Sequence, residues 1–324
     1  RERYENELRK TKSSGKTFEY LKALDRIKQF DIRKEMATLS GKNRGQLKYK
    51  GQVIFLPYLP NQDLAVEFDY IRDKTELVWD FSLNAPENLK KQVFQILCYA
   101  LENIKDSKDR RVRYLLPLKW LYEFCIEEGI EDIERLELAQ IQKLEAIVAG
   151  KVVNVKNSMQ IVDNSRKILF MSGKEIHWYA NVWYLKRFNF APERINPSNP
   201  VYRLTFYEVT HLKNRELLQE YMRYQVGISG LTIGNIRSQL SYIKKFLIYF
   251  NELESICHVT DKQIGEYFRT VQDEGNKAET VNKQIFDIYK FFLYLHVKGH
   301  ITRTVFEPNY YSQKVYPYHH DRSV

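Results

Sequence analysis

The stretch SGLTIGNIRSQLSYIKKFLIYF (229–250) decides the fold. Its apolar residues Ile233, Ile236, Leu240, Ile243, Leu247 and Phe250 step by three and four, which places them on one side of a single long helix. Working outward, VTDKQIGEYF (259–268) has Thr260 followed three residues later by Gln263, a capping-box signature that predicts a shorter helix. Gly275 breaks the chain. AETVNKQIFDIYKFFLYLHVKG (278–299) then carries Val281, Ile285, Ile288, Phe292 and Leu295 as a second long stripe ending near Gly299. With a further helix expected over 212–224, the pattern is that of a compact helical bundle.

The first half of the chain repeats this order. When RVRYLLPLKWLYEF (111–124) is set against RSQLSYIKKFLIYF (237–250), Arg111 meets Arg237, Lys119 meets Lys245, Trp120 meets Phe246, Leu121 meets Leu247 and Phe124 meets Phe250. LAQIQKL (138–144) then falls opposite DKQIGEY (261–267), and both halves close on Phe and Pro, in FNFAPERINP (188–197) and VFEPNYYSQ (305–313). Duplication of one helical unit accounts for these matches; chance similarity between helical segments is the competing account.

Residues 1–105 read differently. Phe18, Leu21, Leu24, Ile27 and Phe30 suggest an amphipathic helix after the Ser13-Ser14-Gly15 turn. Gly41, Gly45 and Gly51 punctuate a basic loop with Lys42, Arg44, Lys48 and Lys50. The short runs 53–56 and 78–81 are expected to pair as a small sheet. A helix is expected from Asn84–Glu87 onward, with Leu89, Val93, Ile96, Ala100 and Ile104 on its apolar side. The expected fold is mainly α, with tandem helical bundles preceded by a small α+β module. The expected divisions are 1–105, 106–204, 205–316 and a linker at 317–324.

Composition narrows the partners. With 324 residues and 44% hydrophobic content the chain has enough apolar material for two or three folded domains. The formal charge of +10 points to a polyanion. Cys98, Cys125 and Cys257 lie far apart without a CxxC pair, so reduced core thiols are expected rather than a disulfide or zinc site. No stretch has the length of apolar sequence a bilayer span needs, and no signal-peptide pattern opens the chain. A cytosolic protein is expected, with no metal site.

Charge is also segregated. Residues 229–250 contain Arg237, Lys244 and Lys245 and no acid, while Thr232, Asn235, Gln239 and Ser241 share the polar side. Such side chains reach phosphates and base edges from a helix in the major groove. Thr280, Asn282 and Lys283 open the other long helix. In the first half Lys108, Arg110, Arg111 and Arg113 bunch at a helix start, and Asn164, Ser165, Arg166 and Lys167 form another polar, basic run. Solvated helix faces are the ordinary explanation of surface charge. Against it, the acids collect elsewhere, in turns such as Glu127-Glu128 and Asp273-Glu274. The aromatics fall mostly on apolar stripes, which favours duplex over single-stranded DNA.

On the three quoted helical segments, residues 205–324 resemble the core-binding domain of the tyrosine recombinase, or phage integrase, family. The exit KVYPYHHDRSV (314–324) looks like the linker into that family's catalytic domain. Two such SAM-like units after an extra module look most like the transposase-B class of bacterial transposons, which implies a cytoplasmic, nucleoid-associated protein without a cofactor. The resemblance is looser over 106–204 and hardly reaches 1–105. It implies a bundle that forms half of a C-shaped clamp on duplex DNA, with other protomers of the recombinase as partners. It also implies cutting and rejoining through a tyrosine nucleophile assisted by Arg, Lys and His, without metal. The catalytic domain is expected beyond Val324, so none of these residues is expected to be catalytic. His319-His320-Asp321-Arg322 matches the family's H-x-x-R box but lacks its other boxes, and is expected to be linker, with Arg322 touching phosphate. No Gly-rich phosphate loop, H-E-x-x-H or G-x-S-x-G occurs. A helical protein-interaction scaffold and a DNA-binding regulator without catalysis are the alternatives.

Overall fold

The computed structural model describes residues 1–36, 53–303 and 305–314. The protein is mainly helical and divides into two compact units. One comprises Arg1–Ile133 with Leu144–Ile168, the other Glu134–Lys143 with Leu169–Val324.

The first unit begins with α1 (Glu2–Thr11) and α2 (Ser14–Met36). The expected amphipathic helix is present, but its inward side is not the apolar one. Thr17, Leu21, Asp25 and Gln29 are buried, while Phe18, Ile27 and Phe30 are exposed. Burial of the polar side is tolerated because its groups are paired. The Asp25 carboxylate accepts from Arg1 Nε at 2.9 Å and from the Tyr58 hydroxyl at 2.8 Å. Gln29 Nε2 donates to the Pro57 carbonyl and to Asp69 Oδ1, each at 3.1 Å. The basic loop with Lys42, Arg44, Lys48 and Lys50 lies outside the described residues.

The predicted sheet forms from β1 (Val53–Phe55) and β2 (Val78–Asp80), antiparallel, with Ile54 opposite Trp79. Between the strands lies the short α3 (Gln62–Val66). Trp79 and Phe81 are buried, as are Leu89, Val93, Ile96 and Ala100 on α4 (Glu87–Asn103). A helical turn (Ser107–Asp109) and a π-helical stretch (Arg110–Leu115) then lead into α5 (Leu116–Glu127). The widened turn lies just before Pro117, which has no N–H for the carbonyl four residues back and crowds it. The division between units falls within both α6 (Leu138–Ala149) and α7 (Val155–Ser172).

The second unit contains a two-stranded sheet of β3 (Val182–Tyr184) and β4 (Arg203–Thr205), with Trp183 opposite Leu204. The helices α8 (Leu212–Gly227), α9 (Ile233–Tyr249), α10 (Asp261–Asp273) and α11 (Ala278–Val297) follow. Position 204/205, expected as a boundary, falls inside β4. Val182, Trp183, Leu204 and Phe206 belong to the same buried cluster as the helices.

All six stripe residues of α9 and all five of α11 are buried, as their spacing predicts. Thr260 caps α10 through a complete capping box with Gln263. Gly275 and Gly299 end α10 and α11 with φ of +73° and +80°, the left-handed conformation glycine adopts without steric cost.

Arg194 sets the turn between α8 and α9. Its guanidinium donates to the carbonyls of Leu231 at 2.9 Å, Val226 at 3.0 Å and Gln225 at 3.1 Å, closing the C-terminal end of α8. Among the described residues no helix is long and apolar enough to cross a membrane, and no group of three His, Cys, Asp or Glu is placed to hold a metal. The three cysteines are free; burial pushes the Cys125 thiol up to about 12.

Candidate nucleic-acid interface

Helix α9 starts at Thr232, whose Oγ1 accepts the backbone N–H of Asn235 at 3.4 Å. The hydroxyl is therefore engaged as a cap, although the residue is exposed. Because Ile233, Ile236, Leu240, Ile243, Phe246 and Leu247 point inward, the outer side is left to Gly234, Arg237, Ser238, Ser241 and Lys245. Arg237, Ser241 and Lys245 follow one another at successive turns as a ridge. The small residues Gly234 and Ser238 lie beside that ridge, a feature the same periodicity could have revealed. Arg237 is exposed, and no ionic partner meets it among the described residues.

Two neighbouring lysines differ. Lys244 Nζ lies 2.8 Å from Glu208 Oε1 and 3.0 Å from Thr205 Oγ1, with 17% of its side chain exposed. Burial alone would raise the Glu208 carboxyl, but hydrogen bonds from Lys244 and Thr205 outweigh it and hold the group below the usual carboxylate range. Lys245 Nζ meets both oxygens of Glu274, at 2.5 and 2.7 Å, on open surface. Hydrogen bonding from Lys245 lowers the Glu274 carboxyl as well.

Gln239, placed by its sequence neighbours on the polar side, is buried instead. Its Nε2 donates to Asp287 Oδ1 of α11 at 3.1 Å. On α11, Lys283 is exposed and Thr280 half-buried. Asn282 is occupied by the chain itself: Nδ2 donates to the Gln313 carbonyl, and Oδ1 accepts the Gln313 N–H, both at 2.8 Å. The returning segment is also held by Tyr311, whose ring packs on Phe268 and whose hydroxyl lies 2.8 Å from Asp261 Oδ1. Burial, then that hydrogen bond, pushes the hydroxyl up to about 12. Nothing local in the sequence marks Asn282 as a backbone clamp.

In the first unit the structure separates residues that the sequence grouped. Lys108, Arg113 and Lys167 are exposed, with Arg113 paired to Asp109 at 3.3 Å. Arg111 is half-buried and bonded to Glu76 at 2.7 Å. Three expected contact residues face the protein interior instead. Arg110 is buried against the Glu67 carboxylate and the carbonyl of Ile104. Ser165 is fully buried, and buried Arg166 directs Nε toward the Ile133 carbonyl at 3.5 Å. These three side chains present no surface to a duplex, because α7 and the π-helical stretch turn them inward. Asn164 is half-buried. Arg322 lies outside the described residues.

Residues 216–299, covering most of α8 and all of α9, α10 and α11, match the family model of the phage integrase, N-terminal SAM-like domain. That similarity supports a tyrosine-recombinase relationship for this part of the chain. No curated protein and no solved structure matches.

Proposed function

We propose that the helices α8–α11 hold duplex DNA for a site-specific tyrosine recombinase or transposase. The observation that carries this reading is the acid-free outer ridge of α9, Arg237–Ser241–Lys245, on the segment similar to the integrase SAM-like domain. A ridge whose guanidinium meets no ionic partner among the described residues, with small neighbours, suits close approach to a sugar–phosphate backbone, with Arg237 able to bond a phosphate or a guanine edge. Asn235, Ser241 and Lys283 are exposed and complete the set in this unit. In the first unit Lys108, Arg113 and Lys167 are exposed cations and are that unit's candidate DNA contacts.

On this reading the chain is transposase-B-like, with the core-binding unit built around α8–α11 and a second, similar helical unit earlier in the chain. Residues 1–105 bind arm-site DNA or join protomers. A catalytic domain outside these 324 residues forms the phosphotyrosine linkage, and the protein works in the cytoplasm on the ends of its own mobile element. Other protomers of the same recombinase are its partners on DNA.

Fluorescence anisotropy with a labelled duplex over a salt series, with single-stranded competitor, tests the proposal. Duplex-selective binding whose log affinity falls steeply with log salt is expected. Absence of binding at low salt would overturn it and favour an acidic protein partner for these basic faces.

A further inference from the structure

We propose that Glu274 acts as an intramolecular stand-in for phosphate: it occupies Lys245 in the free protein, and a bound duplex displaces it. The inference rests on the DNA-binding reading of α9. The ridge's own helix supplies no acid, so the carboxylate on Lys245 comes from a different element, the C-terminal end of α10. Gly275, at φ +73°, turns the chain immediately after it. Asn276 Nδ2 donates to Glu274 Oε2 at 3.1 Å, so the carboxylate is held from both sides. Two anionic oxygens facing one ammonium reproduce the charge and hydrogen bonding that a phosphate group offers.

Exposure decides that this pair can exchange. The Lys245 and Glu274 side chains are 48% and 39% exposed, whereas adjacent Lys244 is enclosed with Glu208 and Thr205. An exposed ion pair is weak and screened, and a lysine on a flexible stem can swing to a new anion. A duplex reaching Arg237 and Ser241 meets Lys245 one turn further along, with Glu274 competing for it. Glu274 therefore lowers affinity for polyanions in general and leaves the geometry of the ridge unchanged.

The test is duplex binding by the full chain and by the Glu274→Gln, Lys245→Gln and double variants over a salt series. Glu266→Gln, on an exposed residue of α10, serves as the charge-only control. Glu274→Gln is expected to tighten binding roughly 3- to 10-fold at low salt and to steepen the salt slope by up to about one. The same change in the Lys245→Gln background is expected to have less than about half that effect on log affinity, and Glu266→Gln a similarly small one. Equal effects in both backgrounds, or none in either, overturn the proposal while leaving DNA binding intact. If the unaltered chain does not bind duplex, the DNA-binding reading falls and this proposal falls with it. Matching circular dichroism spectra and melting temperatures establish that the surface variants fold alike.

Discussion

Asn282 grips the backbone of Gln313 on two sides, donating to its carbonyl and accepting its N–H, each at 2.8 Å. One side chain near the start of α11 thereby reproduces the hydrogen bonding of a strand neighbour and holds the chain as it returns past the bundle. Gln272 Nε2 adds a bond to the Tyr311 carbonyl at 3.1 Å. The path of residues 311–313 across the bundle is thus set by side chains of α10 and α11.

Replacing Asn282 by Ala removes both bonds and should cost about 1–3 kcal/mol, felt mainly by the returning segment. Hydrogen exchange should accelerate over residues 305–314 while the cores of α9 and α11 keep their protection. Unchanged exchange in that segment would show that Tyr311 and Phe306 hold it without the clamp.

Gly265 provides a second test of the same segment. A Cβ there would lie 3.3 Å from Tyr311 Cε1 and 3.4 Å from its hydroxyl. Gly265→Ala gains about 1 kcal/mol of helix propensity but pushes on a ring anchored to Asp261 and packed on Phe306. The expected outcome is a melting temperature that holds or rises, with faster exchange at Tyr311. A fall in melting temperature with Tyr311 still protected would place the strain in the helix instead.

Lys244→Met should destabilise the fold by about 1–3 kcal/mol at neutral pH, because Glu208 keeps its charge in a half-buried place without a cation. The folded-state carboxyl of Glu208 is lowered in the native protein, so the stability it contributes is present above the unfolded-state value. That contribution is lost as pH falls through the lowered folded value. The gap between native protein and variant should therefore be wide at pH 7 and narrow in acid, as read from urea unfolding at both pH values. A gap independent of pH would mean that the loss is one of packing alone.

Arg237 and Arg166 should separate binding from stability. Arg237→Ala should cost about 1–3 kcal/mol of affinity for one DNA sequence if the guanidinium reads a guanine. If it meets only phosphate, the loss should be uniform across sequences and the salt slope should fall by about one. Its melting temperature should not move. Arg166→Ala, at a buried site, should lower folding stability by about 1–3 kcal/mol. Anisotropy and thermal melts on the two variants decide, and an unchanged affinity and slope would remove Arg237 from the interface.

Much of the second unit was legible from single residues. The stripes of α9 and α11, the capping box of α10 and the glycine ends all rest on interactions within a few residues along the chain, so their spacing alone reports them. The small sheet of the first unit was equally local in its signals, two short β-prone runs that pair as expected. The inward side of α2 was not legible. Its buried Asp25 and Gln29 are satisfied by Arg1, Tyr58, Pro57 and Asp69, which come from other parts of the chain.

Sequence by itself determined that this protein is mainly helical, where the helices of the bundle begin and end, and that α9 carries cations without acids. Tertiary structure alone decided which of those cations are open to a partner. Lys244 and Lys245 are adjacent in sequence, yet one is enclosed by Glu208 and Thr205 and the other meets Glu274 on open surface. Arg110 and Arg166, read as surface charges, are buried. The physical reason is that a helix period and a cap are local, while the partner that neutralises a charge arrives from a distant segment brought close by burial of the apolar stripes.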